Sequence, residues 1–123
     1  MSLKGATEMT REFVRLFEFE KQCKRIGLSE DDVMEIENEL LANPAAGDMV
    51  RGTGGIRKFR IMLPNRGKSS GARVVYVDFV SYSKTYLLTA FSKGETDNLN
   101  QAERNELKAL VGILKHELGK KAK

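Results

Sequence analysis

Histidine and cysteine are nearly absent from this sequence, which has one of each, His116 and Cys23. A lone cysteine cannot close an internal disulfide, and that suits a reducing compartment. One histidine and one cysteine are too few for a dedicated zinc site. Without a second histidine triad chemistry has little to build on, and His116, off the apolar stripe of the C-terminal helical pattern, reads as a surface residue. No run of about 18 apolar residues exists, and the start lacks the apolar segment of a signal peptide. These absences point to a cytoplasmic protein with no membrane association, metal or cofactor. The expected organisation is one domain over residues 1–123, with flexible tails at about 1–10 and 119–123.

Acidic residues are missing from one long stretch. Residues 49–73 hold seven bases (Arg51, Arg57, Lys58, Arg60, Arg66, Lys68, Arg73) and no acid. Residues 29–48 are the mirror image, with seven acids and no base. The net charge of +4 hides this segregation, which says more about a partner than the total does. A polyanion suits the basic block. The acidic block has a plainer reading as the solvated face of a helix carrying Glu35, Glu37 and Glu39.

Apolar periodicity gives the elements. A short strand near 11–16 is expected to lead into a helix from about 18 to Ile26, although Phe13, Leu16, Phe17 and Phe19 fit no single template and Val14 confuses both. Ser29 is a plausible N-cap, and Val33, Ile36 and Leu40 recur at helical spacing until Asn43-Pro44 ends the helix. Residues 56–63 alternate, with Phe59, Ile61 and Leu63 on one face and Lys58, Arg60 and Met62 on the other. Residues 72–80 read as a buried central strand, which residues 84–91 pair with across Ser81-Tyr82-Ser83. A last helix is expected over about 100–118, ended by Gly119.

Two glycine motifs invite phosphate-binding readings. Gly67-Lys68-Ser69 lacks the earlier glycine of a P-loop, since Met62 stands there, and a strand follows where a helix is needed. Gly52-Thr53-Gly54-Gly55 could form an anion-binding nest, but a turn entering a strand is the commoner cause of such a string. Lys58 and Arg60 project from one face of their strand, about 7 Å apart. Arg73 opens the next strand and could join them. RNA carries its own nucleophile in the 2′-hydroxyl, so cleavage needs alignment, proton transfer and stabilisation of a charged phosphorane. Arginine forks suit the last task, and lysines crowded by cations can exchange protons near neutral pH. Pattern alone leaves this reading level with a simple solvated outer face.

The ordered set Gly47-Asp48, Gly52-Thr53-Gly54-Gly55-Ile56-Arg57-Lys58-Phe59-Arg60 and Gly71-Ala72-Arg73-Val74-Val75-Tyr76 resembles the HigB branch of the RelE toxin superfamily. Tyr86-Leu87-Leu88-Thr89, Lys93-Gly94-Glu95 and Asn98-Leu99-Asn100 extend the match over roughly residues 11–118. The resemblance implies an α+β fold, a curved antiparallel sheet of about four strands with two N-terminal helices on one face and a C-terminal helix. It also implies a toxin of a toxin–antitoxin module, a metal-independent endoribonuclease that cuts mRNA in the ribosomal A site and stops translation. Its partners would be mRNA, the ribosome and a cognate antitoxin of helix-turn-helix type, with operator DNA reached only through that antitoxin.

Carried over position by position, the resemblance implies catalytic roles for Lys58, Arg60, Arg73 and Lys93. Arg60 and Arg73 would hold the scissile phosphate, and Lys58 or Lys93 would handle protons. Arg57, Arg66 and Lys68 are expected to add RNA contacts. Near the final helix, where some relatives carry a tyrosine, histidine or acid, this chain offers Gly94, Asp97 and Asn100. The general base therefore stays open, with Glu95 and Asp97 as outside candidates. The alternatives are a non-catalytic RNA- or DNA-binding module, or a toxin of this fold with another target.

Overall fold

A computed structural model describes residues 10–62, 71–92, 94–95 and 99–121. Among them the elements are β1 (Glu12–Arg15), α1 (Phe17–Arg25), α2 (Glu30–Ala42), β2 (Asp48–Met49), β3 (Arg57–Ile61), β4 (Ala72–Phe79), β5 (Lys84–Ser92) and α3 (Gln101–Lys121). The strands form one sheet in the order β1-β5-β4-β3-β2. The pairs from β2 to β5 are antiparallel, as expected, but β1 lies parallel to β5. The sheet is thus mixed and has five strands. Alternation within the four residues of β1 carries no information on direction. That is set by α1 and α2, which follow β1 and carry the chain across the sheet.

Helices cover both faces. On one, Phe19 and Cys23 of α1 and Val33, Ile36 and Leu40 of α2 pack with Phe59, Ile61, Val74, Tyr76 and Leu87. On the other, Val111 and Leu118 of α3 pack with Ile56, Val75, Val77, Phe79, Tyr86 and Leu88. This double covering explains the puzzling N-terminal pattern. Phe13 packs on the α1–α2 side while Val14 and Leu16 pack on the α3 side, so both strand parities are apolar. β4 shows the same signature, with an unbroken buried run from Val74 to Val77.

Local chemistry sets the helix ends. Ser29 Oγ accepts from Asp32 N–H at 3.1 Å, and Asp32 Oδ2 accepts from Ser29 N–H at 2.9 Å, a reciprocal capping box. Asn100 and Glu103 repeat the arrangement at the start of α3, at 2.8 and 2.9 Å. Gly119 does not end α3, which continues to Lys121; buried Leu118 ties the last turn to the sheet. Of the acidic face of α2, Glu35 and Glu39 are exposed as expected. Glu37 instead receives both arms of the Arg15 fork at 2.8 and 3.1 Å, binding α2 to β1. At the other end of the sheet, Arg11 makes a similar fork to Asp78, with side chains only 6% and 7% exposed. Thr85 Oγ1 adds a bond to the same carboxylate at 2.7 Å.

Candidate functional site

Strand register builds the site. Arg60 pairs with Arg73 across β3–β4, and Arg73 pairs with Phe91 across β4–β5. The neighbouring row runs Asp48, Lys58, Val75 and Thr89 through four strands. Residues directly opposite one another share a sheet face, with Cβ atoms about 4.5–5.5 Å apart. Ile56 and Val75 belong to the core under α3, so Lys58, Arg60 and Arg73 share that face by parity. Arg60 and Arg73 also line one small depression of about 80 Å³ with Ile61, Met62, Gly71 and Ala72. The structure thus brings Lys58, Arg60 and Arg73 together. Lys93, Arg66 and Lys68 lie outside the described residues, as does Asp97.

Arg57 does not join them. It alternates with Lys58, and its Nη1 donates to Gly47 O at 3.0 Å. That bond holds the segment before β2 rather than presenting a cation beside Arg60. Glu95 is also unsuited to the role of base. It accepts from Arg25 Nη2 at 2.9 Å and from Ser92 N–H at 2.7 Å. These bonds, the arginine's first, hold its carboxyl down at about 2, which makes it a weak proton acceptor.

A bulge shapes the far wall. Val75 pairs with Thr89 but Tyr76 pairs with Leu87, so β5 carries one extra residue there. The extra residue reverses the parity of the strand beyond it. Leu88 packs on the α3 side, Ala90 on the α1–α2 side, and Phe91 on the α3 side again. Without the bulge Phe91 would face away from Arg73. With it, an aromatic ring stands at the end of the Arg60–Arg73 row.

The other end is held by Gly47. Its φ is +82°, and a Cβ there would lie 2.1 Å from Lys58 O and 2.5 Å from Phe59 Cβ. Only glycine lets this backbone rest against β3. Tyr76 fixes the same segment from below, its hydroxyl within 2.6 Å of Ala46 O and 3.1 Å of Pro44 O. The glycine string at 52–55 serves the entry to β3. Thr53 Oγ1 donates to Val50 O at 2.7 Å and accepts from Ile56 N–H at 3.2 Å, closing the turn on itself.

Sequence reasoning leaves out three residues, of which two escape the pattern. Asp48 lies in a two-residue strand, too short for a period, yet it places a carboxylate directly opposite Lys58. Phe91 depends on a bulge that alternation does not reveal. Arg104 was detectable, because it falls on the stripe that continues through Leu107, Val111, Leu114 and Leu118, where an apolar residue is expected. A cavity of about 620 Å³ lies on the opposite flank of α3, over Leu88, Phe91 and Leu107. Among the described residues, Glu18, Glu95, Glu103 and Glu106 line it against Arg25 as the one base, a charge balance that repels a polyanion.

A family model described as the RelE toxin of the RelE/RelB toxin–antitoxin system matches residues 12–121. Among solved structures, that of a double arginine-to-alanine mutant of the E. coli toxin RelE in the free state aligns with a TM-score of 0.55. The match covers 80% of this chain and 97% of that one at 18% identity, so it speaks to the fold.

Proposed function

The chain belongs to the RelE toxin family, and from that premise we propose that it is a ribosome-dependent endoribonuclease of the HigB type. It cuts mRNA in the A site, halts translation, and is held in check by a co-encoded helix-turn-helix antitoxin. The observation that carries this reading is the register that turns Lys58, Arg60 and Arg73 to one face, with Asp48 beside Lys58. That row has the groups RNA cleavage requires. The 2′-oxygen attacks the adjacent phosphorus as its proton passes to Asp48, which stands beside Lys58. Arg60 and Arg73 hold the non-bridging oxygens through the charged phosphorane. A lysine, Lys58 or Lys93, returns a proton to the departing 5′-oxygen. The products are a 2′,3′-cyclic phosphate and a 5′-hydroxyl end.

Mapping mRNA ends after incubation with translating ribosomes tests this directly. New 5′-hydroxyl ends at A-site codons are expected, and Asp48→Asn should lower their rate of formation. Intact message at saturating protein would overturn the reading and leave a non-catalytic RNA-binding module.

A further inference from the structure

Arg104 carries two structural costs with no visible return. It sits in the first turn of α3, where the positive end of the helix dipole disfavours a cation. Its Nε is buried with no hydrogen-bond partner among the described residues, whereas buried polar groups are nearly always paired. An incoming anion would supply the acceptor that the described residues do not.

Two approaches fix how α3 lies. A Cβ at Gly54 would stand 3.6 Å from Val111 Cγ1, and one at Gly119 would stand 3.7 Å from the Tyr82 hydroxyl. The C-terminal end of α3 therefore reaches the β4–β5 turn, and its N-terminal end points back towards Arg73. Arg104 is one heptad before Val111, about 10 Å back along the axis and turned by only about 20°. It therefore shares the Gly54 side of the helix, the side of β3. Glu103, Leu107 and Leu110 line the acidic cleft on the other flank. Moving about 10 Å from Gly54 along β3, roughly three residues of strand, leads to Arg57 and Lys58. Arg104 thus overlooks the row of Asp48, Lys58 and Val75 from above.

We propose that Arg104 is a phosphate-binding residue of the same site, so that single-stranded RNA passes between the start of α3 and the β3–β4 face. Lys58, Arg60 and Arg73 meet the backbone from the sheet, and Arg104 meets a neighbouring phosphate from the helix. The inference rests on the reading of this face as the RNA site. The competing explanation is that the arginine stem merely covers apolar surface.

Full-length wild type, Arg104→Met and Arg104→Lys separate the two. Met retains the apolar stem without charge, and Lys retains charge without the fork. The probe is a single-stranded 2′-O-methyl RNA, which lacks the nucleophile and cannot be cut. Its binding is followed by anisotropy across a salt series, with melting curves to verify folding. Arg104→Met should bind about tenfold more weakly and flatten the slope of log K against log salt by about 0.7. Arg104→Lys should keep the wild-type slope and recover part of the affinity. Arg104→Gln, which keeps donors but not charge, should flatten the slope equally and serves if the Met variant does not fold. Wild-type slope and affinity in the folded neutral variants, beside a wild type that cleaves mRNA on ribosomes, overturn the role of Arg104 alone. A wild type that neither binds the probe nor cuts message overturns the reading of the face, and the proposal falls with it.

Discussion

Arg60 and Arg73 are direct partners across the β3–β4 ladder, two like charges that the fold sets opposite each other at the end of the sheet. Such a pair works against the ladder.

Breaking the pair tests its part in the reaction. Arg73→Ala is the variant to examine, with melting curves to verify that it folds. Single-turnover cleavage of ribosome-bound mRNA should fall about 100- to 1,000-fold, as when one transition-state donor is removed. A variant that cleaves normally would place the reacting phosphate elsewhere.

Much of this arrangement is legible in the sequence, for a physical reason. Lys58 and Arg60 alternate with Phe59 and Ile61, and period-2 alternation is the direct trace of a strand with one apolar and one polar face. Ser29 and Asp32 announce the start of α2 because a cap is a local interaction. What was hidden is non-local. The parallel direction of β1, the bulge that turns Phe91 beside Arg73, and the pairing of Asp48 with Lys58 all depend on which strands meet, and in what register. The double helical cover also erased the alternation of β1, where Phe13 and Val14 are apolar on opposite faces.

Gly47 should prove as sensitive as the charged residues. Alanine there adds a Cβ 2.1 Å from Lys58 O at a φ of +82°. The contact is with backbone, so no side chain can swing aside to relieve it. Gly47→Ala is expected to force β2 away from β3, lowering stability by about 1–3 kcal/mol and separating Asp48 from Lys58. Cleavage should drop at least tenfold even below the variant's melting point, which chemical denaturation and cleavage assays on the same sample would reveal. Gly52→Ala is the control for backbone strain alone, since its φ is +78° but nothing lies within 4 Å of its Cβ position.

The Arg11–Asp78 fork is structural and distant from the basic rows, so its loss should affect folding without a specific effect on cleavage. Both side chains are over nine-tenths buried, and Thr85 Oγ1 also depends on the carboxylate. Asp78→Ala strands a buried guanidinium, and a loss of about 3–5 kcal/mol is expected in denaturant unfolding. Replacing both partners, Arg11→Met with Asp78→Leu, should recover most of that loss, because an apolar pair leaves no orphaned charge. A double variant as unstable as Asp78→Ala would show that the ion pair itself is required.

Tyr76 gives stability a pH dependence of predictable sign. Burial pushes its phenol up to about 12 from the ordinary 10. In the fold the protonated hydroxyl donates to the carbonyls of Ala46 and Pro44. The folded state therefore holds this proton more tightly than the unfolded chain does. Its contribution is present in full below pH 10 and is lost as pH rises from 10 through about 12. Tyr76→Phe should cost about 1–2 kcal/mol at neutral pH, since it removes the hydroxyl that donates to this segment. That gap should narrow steadily between pH 10 and 12, because the phenylalanine variant has no proton to lose. Cys23, pushed up to about 11 by burial, titrates in the same range but is common to both proteins. The difference between their urea midpoints thus isolates Tyr76, and a gap that stays constant to pH 12 would mean the phenol is not held by the Pro44–Ala46 segment.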